Sequence, residues 1–128
     1  MTTPDAMKLI AANYEKKAGV KPIYVIMVAE HANKQAVAHN GEPLDSPEFG
    51  TTEIVGFFYD LDAAVDVVQR NACDISEGGC FHAAFILLRR PGLYVCATSD
   101  CRLYFVLDEK TQRYVQMEEP AIFAHVAF

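Results

Sequence analysis

The run Cys80-Phe81-His82-Ala83-Ala84-Phe85-Ile86-Leu87-Leu88-Arg89 decides the fold. Its second half is apolar at every position from Ala83 to Leu88. A strand with one wet face alternates between polar and apolar residues, whereas a strand covered on both faces does not. The run ends at Arg90-Pro91-Gly92-Leu93, which fits a type II turn. Pro stands at the second position and Gly where φ must be positive. Residues 80–89 therefore read as a central strand, and 93–97 as the strand that returns from it.

Working outward, Arg102 to Leu107 is a second near-continuous apolar run and also reads as central. Asp108-Glu109-Lys110-Thr111 is a polar hairpin connection to a short strand, Tyr114 to Met117. Glu119-Pro120 opens a last apolar stretch that runs to Phe128. On the other side, Asn71 to Gly79 is a loop ending in Gly78-Gly79. Before it, Asp60 is placed to cap a helix whose apolar stripe is Leu61, Ala64, Val65 and Val68. Thr52 to Tyr59 and Ile23 to Ala29 are rich in β-branched and aromatic residues and read as strands. Between them, 30–50 is polar and long for so small a domain; it reads as an exposed flap or a hairpin around Asn40-Gly41.

The chain starts with a helix signal. Thr3 can cap a free N–H, Pro4 is preset for a first turn, and Asp5 complements the dipole. Met7, Ile10, Ala11, Tyr14 and Ala18 recur at helical spacing until Gly19 and Pro22 end the helix. The spacing predicts a helix over 4–18. Strands joined by short turns, with two helices elsewhere, give one α+β domain over 1–128. Its antiparallel sheet has about five to six strands, with two main helices packed on one face.

Composition agrees. The 128 residues are 52% hydrophobic and 22% charged, enough apolar material for a packed core without metal or disulfides. The net charge of −6 works against direct DNA binding and suits solubility or a partner with a basic surface. Met1-Thr2-Thr3-Pro4-Asp5 lacks the basic start and apolar run of a signal peptide, and no apolar stretch is long enough for a membrane span. The expected compartment is the cytoplasm, where the four cysteines would stay reduced.

The candidate chemistry is sparse. Cys73, Cys80, Cys96, Cys101 and His82 are the ligand-like residues, but six and four residues separate the cysteine pairs, unlike a zinc knuckle. Small buried hydrophobes are the simpler reading. Cys80 or Cys101 with His82 or His125 as base would make a thiol nucleophile, yet no familiar motif surrounds them. Gly78-Gly79 lacks the lysine of a phosphate loop. No metal or cofactor is expected. Asp60, Asp62 and Asp66 read as a cap and a solvated helix face. Arg89, Arg90, Arg102 and Arg113 lie on or beside strands, and two or three of them could converge, with Tyr104 beside them, into an anion or nucleotide site. Pairing with carboxylates is the plainer use of such arginines.

From Gly56 to Pro120 the chain resembles a family of small bacterial and prophage proteins. The shared features are Gly56-Phe57, Leu61 to Ala64, Asn71 with Asp74-Ile75 and Glu77, and Phe81 with Ala84. Pro91-Gly92-Leu93-Tyr94, Tyr104, Lys110, Tyr114 and Glu119-Pro120 complete them. The family tends to carry Trp where this chain has its Cys96 to Cys101 segment. The family has no activity to carry over. The resemblance implies a non-enzymatic binding protein of a mobile element, an inhibitor of a host defence system. A protein partner would meet acidic residues such as Glu42, Asp45, Glu48, Asp60, Asp62 and Asp66. The alternatives are sequestration of a small nucleotide by the Arg and Tyr residues, and a zinc- or thiol-dependent protein. An apolar sheet with an open edge strand also predicts a homodimer.

Overall fold

The computed structural model describes residues 2–32, 48–90 and 101–119. The order of elements is α1 (Pro4–Ala18), β1 (Ile23–Ala32), β2 (Glu48–Phe58), α2 (Leu61–Gln69), a short 3-10 turn (Ala72–Asp74), β3 (Ala83–Arg89), β4 (Arg102–Asp108) and β5 (Arg113–Met117). The five strands form one sheet in the order β2-β1-β3-β4-β5, and every neighbouring pair is antiparallel. The fold is α+β, as the sequence pattern predicts.

Local chemistry sets the helices. The Thr3 hydroxyl accepts the Ala6 N–H at 3.1 Å, Pro4 opens α1, and Gly19 closes it at φ 70°, donating its N–H to the Glu15 carbonyl at 2.8 Å. Asp60 caps α2 by accepting the Ala63 N–H at 3.3 Å. Leu61, Ala64 and Val68 are the buried side of α2. In α1 only Met7 and Ala11 are buried, and Ile10, which shares their spacing, is 47% exposed.

β3 is the middle strand and β4 lies inside the sheet, as their unbroken apolar runs require. β1, its long run of β-branched residues paired on both sides, is interior too. The chain leaves the edge strand β2, passes through α2 over β1, and returns as β3, a split β-α-β arrangement. One core joins the helices to Tyr24, Ile26 and Val28 of β1, Ala84, Ile86 and Leu88 of β3, Leu103, Phe105 and Leu107 of β4, and Tyr114 of β5. A second cluster on the opposite face holds Met27, Ala29, Ala83, Phe85, Leu87 and Tyr104. Each fully buried large apolar side chain contributes roughly 1.5–3 kcal/mol.

The larger departures from the sequence reading are in β1, β2 and β3. β1 runs on to Ala32 and β2 starts at Glu48, because their pairing continues into the long connection. Cys80 lies outside β3, since the Phe81 N–H turns back to the Ser76 carbonyl at 3.0 Å. The expected strand at 93–97, the turn at 90–93 beyond Arg90, the hairpin at Asn40-Gly41 and the apolar stretch 120–128 lie outside the described residues.

Candidate functional site

The arginines do not gather as one group. Residues paired across a sheet share a face. Arg102 pairs with Leu87, so Arg102, Tyr104 and Arg89 belong to the face away from the helices. Arg90 turns to the helix side, its guanidinium carbon 5.3 Å from the centre of the Tyr14 ring. Arg113 shares the face of Tyr104, but Tyr104 pairs with Met117, four residues along β5 and about 13 Å away. The Arg102 side chain is only 4% exposed, and its Nη2 pairs with Glu119 Oε1 at 2.5 Å. Its guanidinium carbon also stands 5.4 Å from the centre of the Phe85 ring. Beside it lies a hollow of about 210 Å³ lined by Thr2, Arg102, Tyr104, Met117, Glu118 and Glu119. Burial, and then the Glu119 charge, push the Tyr104 hydroxyl up to about 12. With Glu119 neutralising Arg102 and Glu118 on the rim, this hollow is poorly suited to an anion.

The acidic residues divide in the same way. Glu42 and Asp45 lie outside the described residues, and Glu48 is the first residue of β2. Asp60 caps α2. Asp62 holds Lys8 of α1 at 2.8 Å, and Asp66 holds Arg70 at 2.8 Å. Both pairs are solvated and contribute little to stability. The Asp62 charge helps to raise the Lys8 pKa, chiefly through their hydrogen bond. Asp60 and Asp62 therefore stand together at the start of α2, one turn ahead of Asp66.

Next to them is a surface that the sequence did not single out. Among the described strands β2 lies at an edge of the sheet, and Ile54, Phe57 and Tyr59 are 72%, 56% and 59% exposed. Phe57 and Tyr59 pack edge to face with ring centres 6.0 Å apart. A bulge explains part of this exposure. Ile26 pairs with Gly56 and Met27 with Ile54, leaving Val55 as an extra residue. Ile54 and Phe57 both face away from the helices as a result. The signal available in the sequence was Phe57-Phe58-Tyr59, because three successive aromatics in a strand cannot all face one core.

Cys73 and Cys80 are exposed and Cys101 is half-buried, all as free thiols; Cys96 lies outside the described residues. Among the described residues no three His, Cys, Asp or Glu side chains are placed to hold a metal ion. Leu107 donates its N–H to the carbonyl of the half-buried His82 at 2.8 Å, which ties the start of β3 to the end of β4.

The loop that carries Asn71, Asp74 and Ile75 is a fastened structural element. Asn71, Cys73, Asp74 and Glu77 have φ between 49° and 55°. Ser76 is fully buried; its N–H reaches Asn71 Oδ1 at 3.0 Å and its hydroxyl donates to Asp74 Oδ1 at 2.8 Å. Gly78 donates to Asp74 Oδ2 at 2.9 Å. These bonds, Ser76 first, hold the Asp74 carboxyl below its ordinary pKa.

Comparison with protein-family models, with curated proteins and with solved structures finds no match to this chain. Among the described residues no helix is long and apolar enough to cross a membrane.

Proposed function

We propose that the protein is a non-enzymatic binding protein that docks on another protein through the β2 edge. The observation that carries this reading is the trio Ile54, Phe57 and Tyr59, each more than half exposed at one margin of the sheet. Large aromatic side chains left in water are suited to be anchors that enter a partner's pocket. Asp60 and Asp62 follow directly in the chain, so a partner with a basic rim complements the patch. The resemblance to bacterial and prophage proteins supports the more specific role of a mobile-element inhibitor that covers a host defence protein in the cytoplasm.

The test compares the chain with a Phe57→Ala/Tyr59→Ala double variant as bait in a bacterial lysate. A partner identified by mass spectrometry is then purified and titrated by calorimetry. The double variant should bind it at least roughly thirtyfold more weakly. A partner held equally by both baits overturns the reading, and so does the absence of any stable partner. A second copy of the chain is the other occupant that an open edge invites. Light scattering identifies it by a mass twice that of one chain, lost in the double variant.

A further inference from the structure

A second opening, separate from the face that carries Phe57, lies where α1 meets the start of α2. It is a cleft of about 350 Å³. That is within the size range of small-molecule sites. Tyr24 of β1 is part of its lining, with Pro22 and Leu61 as apolar neighbours and Tyr59 beside Asp60 on its rim.

Tyr24 is the unusual group. It is only 6% exposed, and among the described residues nothing hydrogen-bonds its hydroxyl. The ring is what is buried; the hydroxyl itself is not one of the enclosed polar atoms that lack a partner, so it opens into the cleft. There a ligand can supply a hydrogen bond. Burial is the main cause that raises its pKa, and the charges of Cys101 and Asp60 add to it.

The lining carries three carboxylates, Glu15, Asp60 and Asp62, against two ammonium groups, Lys8 and Lys21, so its charge favours a cation. Asp60 uses Oδ2 to cap α2, which leaves Oδ1 to accept another donor. The same cap occupies the helix terminus that would otherwise attract an anion. Lys8 is already held by both oxygens of Asp62, at 2.8 and 2.9 Å. Two phenol rings, a carboxylate with an open oxygen and a hydroxyl open to the cleft together suit a positively charged nitrogen. We infer that the α1–α2 cleft binds a small organic amine, whose ammonium donates to the Tyr24 hydroxyl and the Asp60 carboxylate. The apolar body of the amine lies against Pro22, Leu61 and the Tyr59 ring.

The probes are benzylamine and benzoate, which match in size and differ in the sign of their charge. Each is titrated into the isotope-labelled chain and followed by amide chemical shifts. Benzylamine should move the amides of 23–24 and 59–62 with a millimolar affinity, and benzoate should not. Tyr24→Phe keeps the ring, and Asp60→Asn keeps a helix cap. Each should weaken benzylamine by about tenfold, because each removes one bond to a charged donor. Equal shifts with benzoate, no shifts with benzylamine, or unchanged affinity in both variants overturn the inference. Undisturbed shifts at β3 and β4 confirm that the variants are folded. The Ile54→Ala single variant should bind benzylamine as the unaltered chain does, which separates this cleft from the docking edge.

Discussion

Tyr114 and Tyr24 both lie on the helix-covered face of the sheet, 2% and 6% exposed. At Tyr114 the hydroxyl donates to the Phe81 carbonyl at 2.6 Å and ties β5 to the end of the 71–80 loop. At Tyr24, at the other end of the fold, the hydroxyl has no such bond among the described residues and borders a cleft. The contrast extends to the surroundings. Around Tyr114 the loop satisfies itself, with Asn71, Asp74 and Ser76 bonded to one another. Around Tyr24, Asp60 has an oxygen to spare. The first region consumes its polar groups to hold a backbone with several positive φ angles, and the second leaves them open to a visitor.

The largest effect that tests this comparison is in alkali. The pKa values of Tyr24, Tyr104 and Tyr114 are all raised, in each case chiefly by burial. The unfolded chain releases these protons near its ordinary value of about 10. Above that pH the unfolded state binds fewer protons than the folded state, so the stability to unfolding falls as pH rises. For Tyr104, pushed up to about 12, the loss over that window is on the order of 3 kcal/mol. Urea midpoints measured between pH 9 and about 11.5 should drop steadily. A flat profile would mean that the three phenols are not buried as described.

A smaller effect separates the two tyrosines directly. Tyr114→Phe leaves the Phe81 carbonyl without its donor in a dry site. The expected cost is about 1–3 kcal/mol, read from urea unfolding. Loosening of the loop should accompany it, seen as faster amide exchange at Ser76 and Gly78, whose N–H groups the network holds. Unchanged exchange there would show that the loop stands without Tyr114.

The sequence made the locally determined parts of this fold legible. The limits of α1 follow from Thr3, Pro4 and Gly19, and the start of α2 from Asp60; all act within one turn. The unbroken apolar run of β3 marked it as central for an equally local reason. What the sequence left hidden depends on contacts between distant residues. The pairing of Ala32 with Glu48 lengthens β1 and β2 beyond their hydrophobic pattern. Arg102 looked available to an anion, but Glu119 from beyond β5 occupies it. Ile10 fits the stripe of α1 by spacing, but only Met7 and Ala11 of that stripe are buried. The bulge at Val55 changes which aromatics meet water, and no periodicity rule registers it. Tyr24 reads as one more strand aromatic until α1 and α2 are seen to meet beside it.

Tyr24→Phe gives the smallest expected effect on stability and the sharpest comparison. The substitution is chemically identical to Tyr114→Phe and is made on the same face of the same sheet. Since no described group depends on the Tyr24 hydroxyl, its removal leaves no orphaned partner. The urea midpoint should stay within the equivalent of about 0.5 kcal/mol or rise slightly. A loss as large as that of Tyr114→Phe would show that the hydroxyl serves the fold. The cleft would then have no group waiting for a ligand. A neutral result, together with weakened binding of the amine, assigns the hydroxyl to recognition, because a group that contributes nothing to folding has then been shown to contribute to binding.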